Sequence, residues 1–372
     1  MILTKLNLIN FRNYHKLNIK LNPYINIFIG KNAQGKTNIL ESIYILAITK
    51  SHRLALEDNY IKMGEDQAQV VGTVKAGKII KDLKIVFNKT GKKVFLNNNE
   101  IRKISNYITN LNVIIFSPDD LDIIKGSPQI RRSLLNIEIS QISQLYIQYY
   151  NEYNKILKNR NEYLKILYVN HLGDESYLDI LDEKLVSRAI SIYQFRSKFL
   201  TRINTKIANI FKTITGISNL YIKYDSNIDL VDFSEEEIKT KFYKKLRENR
   251  KREIIQGTTL FGPHRDDFLF FLDENNLKYY GSQGQQRLAV ISFKLAEIDI
   301  FKEDTKTNPI LLLDDILSEI DFEKKNKLLK YIENDVQTII TTTDLGNIQK
   351  KTLSQAKIFI VDNGTVIEKV VN

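Results

Sequence analysis

Gly30-Lys31-Asn32-Ala33-Gln34-Gly35-Lys36-Thr37 is a complete G-x-x-x-x-G-K-T sequence, and its surroundings decide how the rest of the chain is read. It follows the apolar run Asn26 to Ile29, which reads as a buried strand. After it, Ile39, Leu40, Ile43, Leu46 and Ala47 recur at helical spacing. A strand, a glycine-rich turn and a helix in that order are the context a phosphate-binding loop requires. The glycines let backbone N–H groups curl around phosphates, and the helix N-terminus adds a favourable dipole. In such a loop Gly30, Lys31, Asn32, Ala33, Gln34 and Gly35 wrap the phosphates, Lys36 reaches the β- and γ-phosphates, and the Thr37 hydroxyl ligates Mg²⁺. ATP and Mg²⁺ are the expected cofactors.

A loop of this kind needs an acidic site for the metal. Ile310-Leu311-Leu312-Leu313-Asp314-Asp315 supplies one, as an apolar run ending in two carboxylates. A buried strand here delivers Asp314 to the Mg²⁺ shell, directly or through water, and leaves Asp315 near the γ-phosphate. Lys36 and Asp315 are therefore the candidate catalytic residues. An acidic turn after a strand is common by itself; its pairing with the glycine-rich loop gives it weight.

Bulk composition sets the limits. At 372 residues the chain exceeds what one core usually serves, so two lobes are expected. Hydrophobic content of 43% and charged content of 27% are ordinary for a globular protein. No apolar run approaches the ~18 residues of a membrane helix, and Met1 to Phe11 lacks the charged-then-apolar order of a signal peptide. With no cysteine, disulfides, thiolate metal sites and cysteine nucleophiles are all excluded, and the composition fits a reducing cytoplasm. His15, His52, His171 and His264 form no pair at metal-binding spacing. The net charge of +11 favours a polyanionic partner, and is equally compatible with a solvated surface.

The periodicity changes twice along the chain. Residues 1–125 mix short strand-like runs with one helix. Residues 126–257 hold long helical patterns: Leu145, Tyr149, Tyr153, Ile156 and Leu157 on one predicted face, and Leu181, Leu185, Ala189, Ile192, Phe195, Phe199 and Ile203 on another. Ser234 and Glu237 suggest a capping box for a further helix. From 258 to 372 strand signals return, with Asp362-Asn363-Gly364 the strongest hairpin turn. The pattern is that of an α/β domain split by a helical insertion.

Between the glycine-rich loop and the acidic strand lies Gly281-Ser282-Gln283-Gly284-Gln285-Gln286-Arg287, followed by apolar Leu288, Ile291 and Leu295. It resembles the serine-glycine signature of ABC-type ATPases, with Ser282 and Gly284 in the matching places, and Ser318-Glu319-Ile320-Asp321 looks like their D-loop. Four further motifs narrow the likeness: Leu8-Ile9-Asn10-Phe11-Arg12-Asn13-Tyr14, Ser51-His52-Arg53, Phe116-Ser117-Pro118-Asp119-Asp120-Leu121 and Gly262-Pro263-His264-Arg265-Asp266-Asp267. In this order, and over essentially the whole length, the chain resembles the bacterial RecF family. The resemblance implies an ABC/SMC-type P-loop ATPase head with an inserted, mainly helical second lobe. It implies a homodimer formed around ATP, in which Ser282 of one copy meets the γ-phosphate held by the other. It also implies binding to single- or double-stranded DNA at gap junctions, work with RecR and RecO to load RecA, and a weak DNA-dependent ATPase. Two departures from the wider ABC pattern matter. Asp315 stands where transporter ATPases usually carry glutamate, so slow hydrolysis is expected. Thr341, Thr342 and Thr343 stand where those ATPases carry a histidine.

Several residues carry two readings. Arg12 is a candidate contact to nucleotide phosphates or DNA, against a surface arginine. His264-Arg265-Asp266 reads as a structural network in preference to a catalytic cluster. The basic stretch Lys239 to Arg252 is either a solvated helix face or a DNA contact, with Arg131-Arg132 a weaker case of the same kind. The rival functions are a nucleotide-binding scaffold that does not hydrolyse, and an ATPase subunit of another ABC-type assembly.

Overall fold

The computed structural model describes residues 1–53, 57–170, 175–316, 321–332, 336–346, 348 and 350–369. They fall into two compact units. One comprises residues 1–120, 210–217 and 290–372, the other 121–209 and 218–289.

The first unit is built on two sheets. In the first, β3 (Ile25–Ile29), β13 (Thr338–Thr342), β12 (Ile310–Asp314) and β8 (Val113–Phe116) run parallel, with β14 (Ala356–Asp362) parallel on the other side of β3 and β15 (Thr365–Lys369) returning antiparallel at the edge. Every residue of β8, β12 and β13 is buried. Burial on both faces is why these strands read as continuous apolar runs instead of alternating ones. The register sets Asp314 beside Thr341 and Thr341 beside Phe28, so the carboxyl ends of β12, β13 and β3 lie side by side. That end of a parallel sheet is where ligands bind.

The second sheet is antiparallel, in the order β2 (Tyr14–Lys20), β1 (Ile2–Phe11), β4 (Gln67–Ala76), β5 (Ile79–Asn88), β6 (Gly91–Leu96), β7 (Asn99–Glu100). Its residues alternate, with Leu3, Leu6, Leu8, Val70, Val74, Leu83, Ile85 and Val94 turned inward. Helix α1 (Lys36–Ile48) packs against strands of both sheets, which explains why it is buried on nearly all sides. Short helix α2 (Ser105–Ile108) leads into β8.

In the second unit, α3 (Asp122–Lys125), α4 (Pro128–Ile142), α5 (Gln144–Asn170), most of α6 (Glu175–Thr215) and α7 (Glu235–Gln256) accompany a small antiparallel sheet of β9 (Leu220–Asp225), β10 (Asp267–Leu272) and β11 (Asn275–Asn276). Because β10 pairs with β9, residues 258–289 group with the helices, and the second boundary lies at 289/290 instead of 257/258. Helix α8 (Leu277–Tyr280) belongs here, whereas α9 (Gln283–Thr305) runs through the boundary and α10 (Phe322–Ile332) and α11 (Lys350–Gln355) belong to the first unit. Of the face predicted for α5, Tyr153 is buried, Tyr149, Ile156 and Leu157 are half-buried and Leu145 is exposed, while Tyr146, Arg160 and Leu164 are buried beside it. Buried polar anchors on this helix hide the apolar period. The predicted α6 face holds for Leu181, Leu185, Ala189, Ile192, Phe199 and Ile203, all buried. Ser234 caps α7 by accepting from the Glu237 N–H at 3.2 Å.

Gly262 to Asp267 is a hub of this unit. Arg196, fully enclosed, donates to the Pro263 carbonyl at 2.6 Å, while Tyr224 donates to Asp266 at 2.8 Å. His264 meets the Tyr153 hydroxyl at 2.6 Å. Arg131 is 1% exposed and grips Asp267 with two bonds, 2.6 and 2.8 Å, so it is a core residue and not a DNA contact. A buried charge of this kind is costly to strand without its partner. The fourth motif is thus architectural, as its composition suggested.

Candidate nucleotide site

The loop between β3 and α1 has the shape its sequence demands. Gly35 has φ +111° and Ala33 φ +64°, which turn successive peptides inward. A side chain on Gly30 would place its Cβ 2.3 Å from the Val361 carbonyl oxygen, so only glycine fits there. The Lys36 Nζ sits in the cup of the loop, donating to the carbonyls of Gly30 at 2.7 Å and Lys31 at 2.8 Å. Burial holds its pKa below the ordinary lysine value, against the opposing pull of Asp315 and Asp314.

Thr37, the second residue of α1, donates its hydroxyl to Asp314 Oδ1 at 3.0 Å. The same oxygen accepts from Thr341 at 2.7 Å, and Thr341 Oγ1 in turn accepts the Asp315 N–H at 3.1 Å. Burial raises the Asp314 pKa, opposed by the hydroxyl bonds and by the charge of Arg53. Asp315 takes φ +50°, an uncommon conformation that aspartate tolerates and that is often kept at functional sites. Among the described residues no group of three or more His, Cys, Asp or Glu could hold a metal alone. The Thr37 hydroxyl and Asp314 carboxylate are instead a small set of hard oxygen donors. That suits Mg²⁺ sharing its shell with phosphate and water.

Two sequence motifs far apart in the chain converge on one buried acid. Arg12 donates to both oxygens of Glu41 on α1, at 2.9 and 2.7 Å, and to the Asn59 carbonyl at 2.9 Å. The Ser51 hydroxyl donates to Glu41 at 2.6 Å, and the Ser51 N–H donates to the Tyr60 hydroxyl at 3.1 Å. Burial would raise the Glu41 pKa, but the bonds from Arg12 and Ser51 bring it below the ordinary value. Arg12 is thereby a brace of α1, with its guanidinium largely engaged. His52 beside it is driven down to about 4, chiefly by burial. Its lowered pKa means that the unfolded chain takes up a proton first as pH falls. This contribution to stability is full above about 6.5 and is lost progressively towards 4. A histidine-resolved NMR titration should place the His52 midpoint near 4; one near 6.5 would contradict its burial.

The third motif contains Asp120, which accepts from the Ser117 N–H at 2.9 Å and pairs with buried Lys294 of α9 at 3.4 Å. The signature residues belong to the other unit. There Ser282 and Gly284 are exposed, Ser282 Oγ accepts the Gln285 N–H at 3.2 Å, and Gln285 Oε1 accepts the Ser282 N–H at 2.9 Å. This reciprocal cap starts α9. A Cβ on Gly284 would meet nothing within 4 Å. Of the D-loop stretch, Ser318, Glu319 and Ile320 lie outside the described residues; Asp321 pairs with Lys324 at 2.7 Å.

Residues 2–366 match the RecF/RecN/SMC N-terminal domain. The chain is 42% identical to the DNA replication and repair protein RecF of Listeria monocytogenes, over 96% of this chain and 97% of that one. It is 42% identical to that of Ligilactobacillus salivarius, over 99% and 98%. The chain belongs to the RecF family. That family of DNA replication and repair proteins includes solved structures of the recombination mediator protein RecF with ATP and with ATPrS. Each is 31% identical to this chain, with a TM-score of 0.91 over 99% of it and 98% of the solved chain. A solved Smc head bound to part of ScpA is 15% identical with a TM-score of 0.56, and shares the ABC/SMC head fold.

Sequence reading missed several residues that shape this RecF-type site. Thr341 was noted only as a departure from a histidine, yet it bonds both acidic residues through side chain and backbone. Glu41 had no signal beyond being a carboxylate on an apolar helix. Asn13 and Tyr14 sat inside a quoted motif but carried no role; both bond the glycine-rich loop.

Proposed function

We propose that this RecF-family chain is an ATP-gated DNA clamp that hydrolyses ATP slowly. The observation that carries the reading is the bond from Thr37 to the buried Asp314, directly beside the loop that cups Lys36. Lys36 neutralises phosphate charge, the loop N–H groups bind phosphate oxygens, and Thr37 with Asp314 would hold Mg²⁺, which when bound polarises the phosphates. Asp315 is the proposed base for the attacking water, and Thr341 holds its backbone. The exposed Ser282–Gly284 turn at the start of α9 fits the γ-phosphate of a second copy, which makes the dimer ATP-dependent. Solved relatives named as recombination mediators in the RecFOR pathway support a role in that pathway, and loading of RecA at DNA gaps beside RecR and RecO is the further part of this reading. The test is light scattering with and without ATP-Mg²⁺ and a short gapped duplex. A dimer that forms only with ATP supports the clamp; a mass indifferent to ATP rejects it.

Asp315→Asn should leave ATP affinity unchanged while slowing single-turnover hydrolysis by ~10²-fold or more, since an amide accepts no proton from water. Unchanged hydrolysis removes Asp315 from that role.

The DNA surface lies elsewhere than helix α7. Lys241 is paired with Glu237, Lys245 with Asp229, and Arg250 with Asp179 and Asp182, so much of that helix's charge is internally met. The open face of the antiparallel sheet suits a polyanion better. Its register puts Lys5 beside Lys20 and Lys84 beside Phe95, with Lys16, Lys75 and Lys93 on the same face and Asp82 and Glu100 the acids among them. Counterion release makes affinity fall steeply with salt and vary little with sequence. Replacing Lys5, Lys20 and Lys84 by Glu should cost at least tenfold in affinity and flatten the salt slope by about 3. The same exchange at Lys239, Arg247 and Lys251 should do less. The reverse ranking would return the DNA contact to α7.

A further inference from the structure

We infer that the two hairpins flanking the glycine-rich loop, through Asn13 and Tyr14 at the first turn and Asn363 and Gly364 at the second, are positioning elements that preset the loop for phosphate before nucleotide arrives. The inference rests on the nucleotide reading above and deepens it.

Three sets of bonds hold the outer side of the loop. The Gln34 carbonyl accepts from Asn13 Nδ2 at 3.0 Å and from the Gly364 N–H at 3.2 Å. Gln34 Oε1 accepts the Asn363 N–H at 2.6 Å. The Gly35 carbonyl accepts from the Tyr14 hydroxyl at 3.0 Å. In a trans peptide the C=O and the following N–H point in opposite directions. Pinning the Gln34 and Gly35 carbonyls outward therefore aims the Gly35 and Lys36 N–H groups into the cup, where phosphate oxygens accept hydrogen bonds. Asn13 joins this to the helix, because its Oδ1 accepts from Asn38 Nδ2 at 2.9 Å. The fit on the hairpin side is close. Gly364 has φ +75°, and a Cβ there would meet the Asn13 carbonyl oxygen at 2.7 Å. A free glycine-rich loop would spend much of its time with these peptides turned otherwise, and only the turned-in fraction binds.

Gly364→Ala tests this, with Gly77→Ala as its partner variant. Gly77 also has positive φ, +60°, in a hairpin turn, but nothing lies within 4 Å of its would-be Cβ. Both substitutions impose comparable backbone strain, and only the first pushes a turn off the loop. ATP binding is followed by equilibrium titration and stopped-flow with a fluorescent ATP analogue, alongside thermal melting. We expect Gly364→Ala to bind at least fivefold more weakly than Gly77→Ala at similar melting temperature. The loss should fall on the association rate, because a site already assembled around ATP releases it as before. Tyr14→Phe, which deletes one hydroxyl, should show a smaller loss of the same kind and carries the test alone if Gly364→Ala does not fold. Equal affinity and association rate for Gly364→Ala, Gly77→Ala and Tyr14→Phe overturn the inference while leaving the nucleotide site standing. A wild-type protein that binds no ATP overturns both.

Discussion

Lys36→Ala should lose at least ~100-fold in ATP affinity while melting within a few degrees of the parent. The ammonium sits inside the cup of the loop, 2.7 and 2.8 Å from two of its carbonyls. Charge-assisted bonds to phosphate are worth roughly 1.5–3 kcal/mol each, so losing two exceeds the ~2.7 kcal/mol that corresponds to 100-fold. The fold has less at stake. Burial already disfavours the Lys36 charge, so removing it relieves a desolvation cost as two carbonyl bonds are lost. Calorimetric titration with ATP-Mg²⁺, paired with a melting curve, checks both halves. Normal affinity in the variant would end the assignment of this loop.

Ser282→Arg should separate nucleotide binding from dimerisation. The serine is exposed, and its contacts are confined to the first turn of α9, so the monomer loses a helix cap worth ~1 kcal/mol and little else. The Lys36–Thr37 site belongs to the other unit and keeps its own partners. In the proposed dimer the Ser282 hydroxyl faces the γ-phosphate of the second copy, where a guanidinium is too bulky. Twofold symmetry repeats the clash at both sites, so one substitution acts twice. The expected result is normal ATP affinity, no ATP-induced dimer, no hydrolysis and much weaker DNA binding. Sedimentation with ATP-Mg²⁺ decides it. A stable dimer would contradict the composite site without touching the family assignment.

What could be read in advance follows from the kind of interaction involved. The strand–loop–helix from Asn26 to Ala47 and the apolar run ending at Asp314 were legible because local spacing alone determines them. So was the hairpin at Asn363-Gly364, where positive φ selects its residues. The face of α5 was legible only in part, because Arg160 fills a core position with a charge whose partners, Asp182 and Glu253, lie far along the chain. The grouping of residues 258–289 with the helices was hidden for a related reason: β10 is strand-like in isolation, and only its pairing with β9 assigns it to a unit. Thr341 was invisible for want of a distinctive side chain. Its importance comes from register, which sets it opposite Asp314.

The strand at the centre of the parallel sheet has a consequence for how the chain is made. β3 lies between β13 and β14, and its loop is gripped by a turn at residues 362–364. The phosphate cup is written at residues 30–37, but β13, β14 and the hairpin turn beside it are translated long after it. Until those residues emerge, a ribosome carries an incomplete site, with β3 lacking both flanking strands. ATP can act as a ligand that stabilises the fold only once the carboxyl-terminal hairpin has emerged. A chain cut short before residue 362 would then be left without nucleotide protection, which exposes truncated copies to proteolysis.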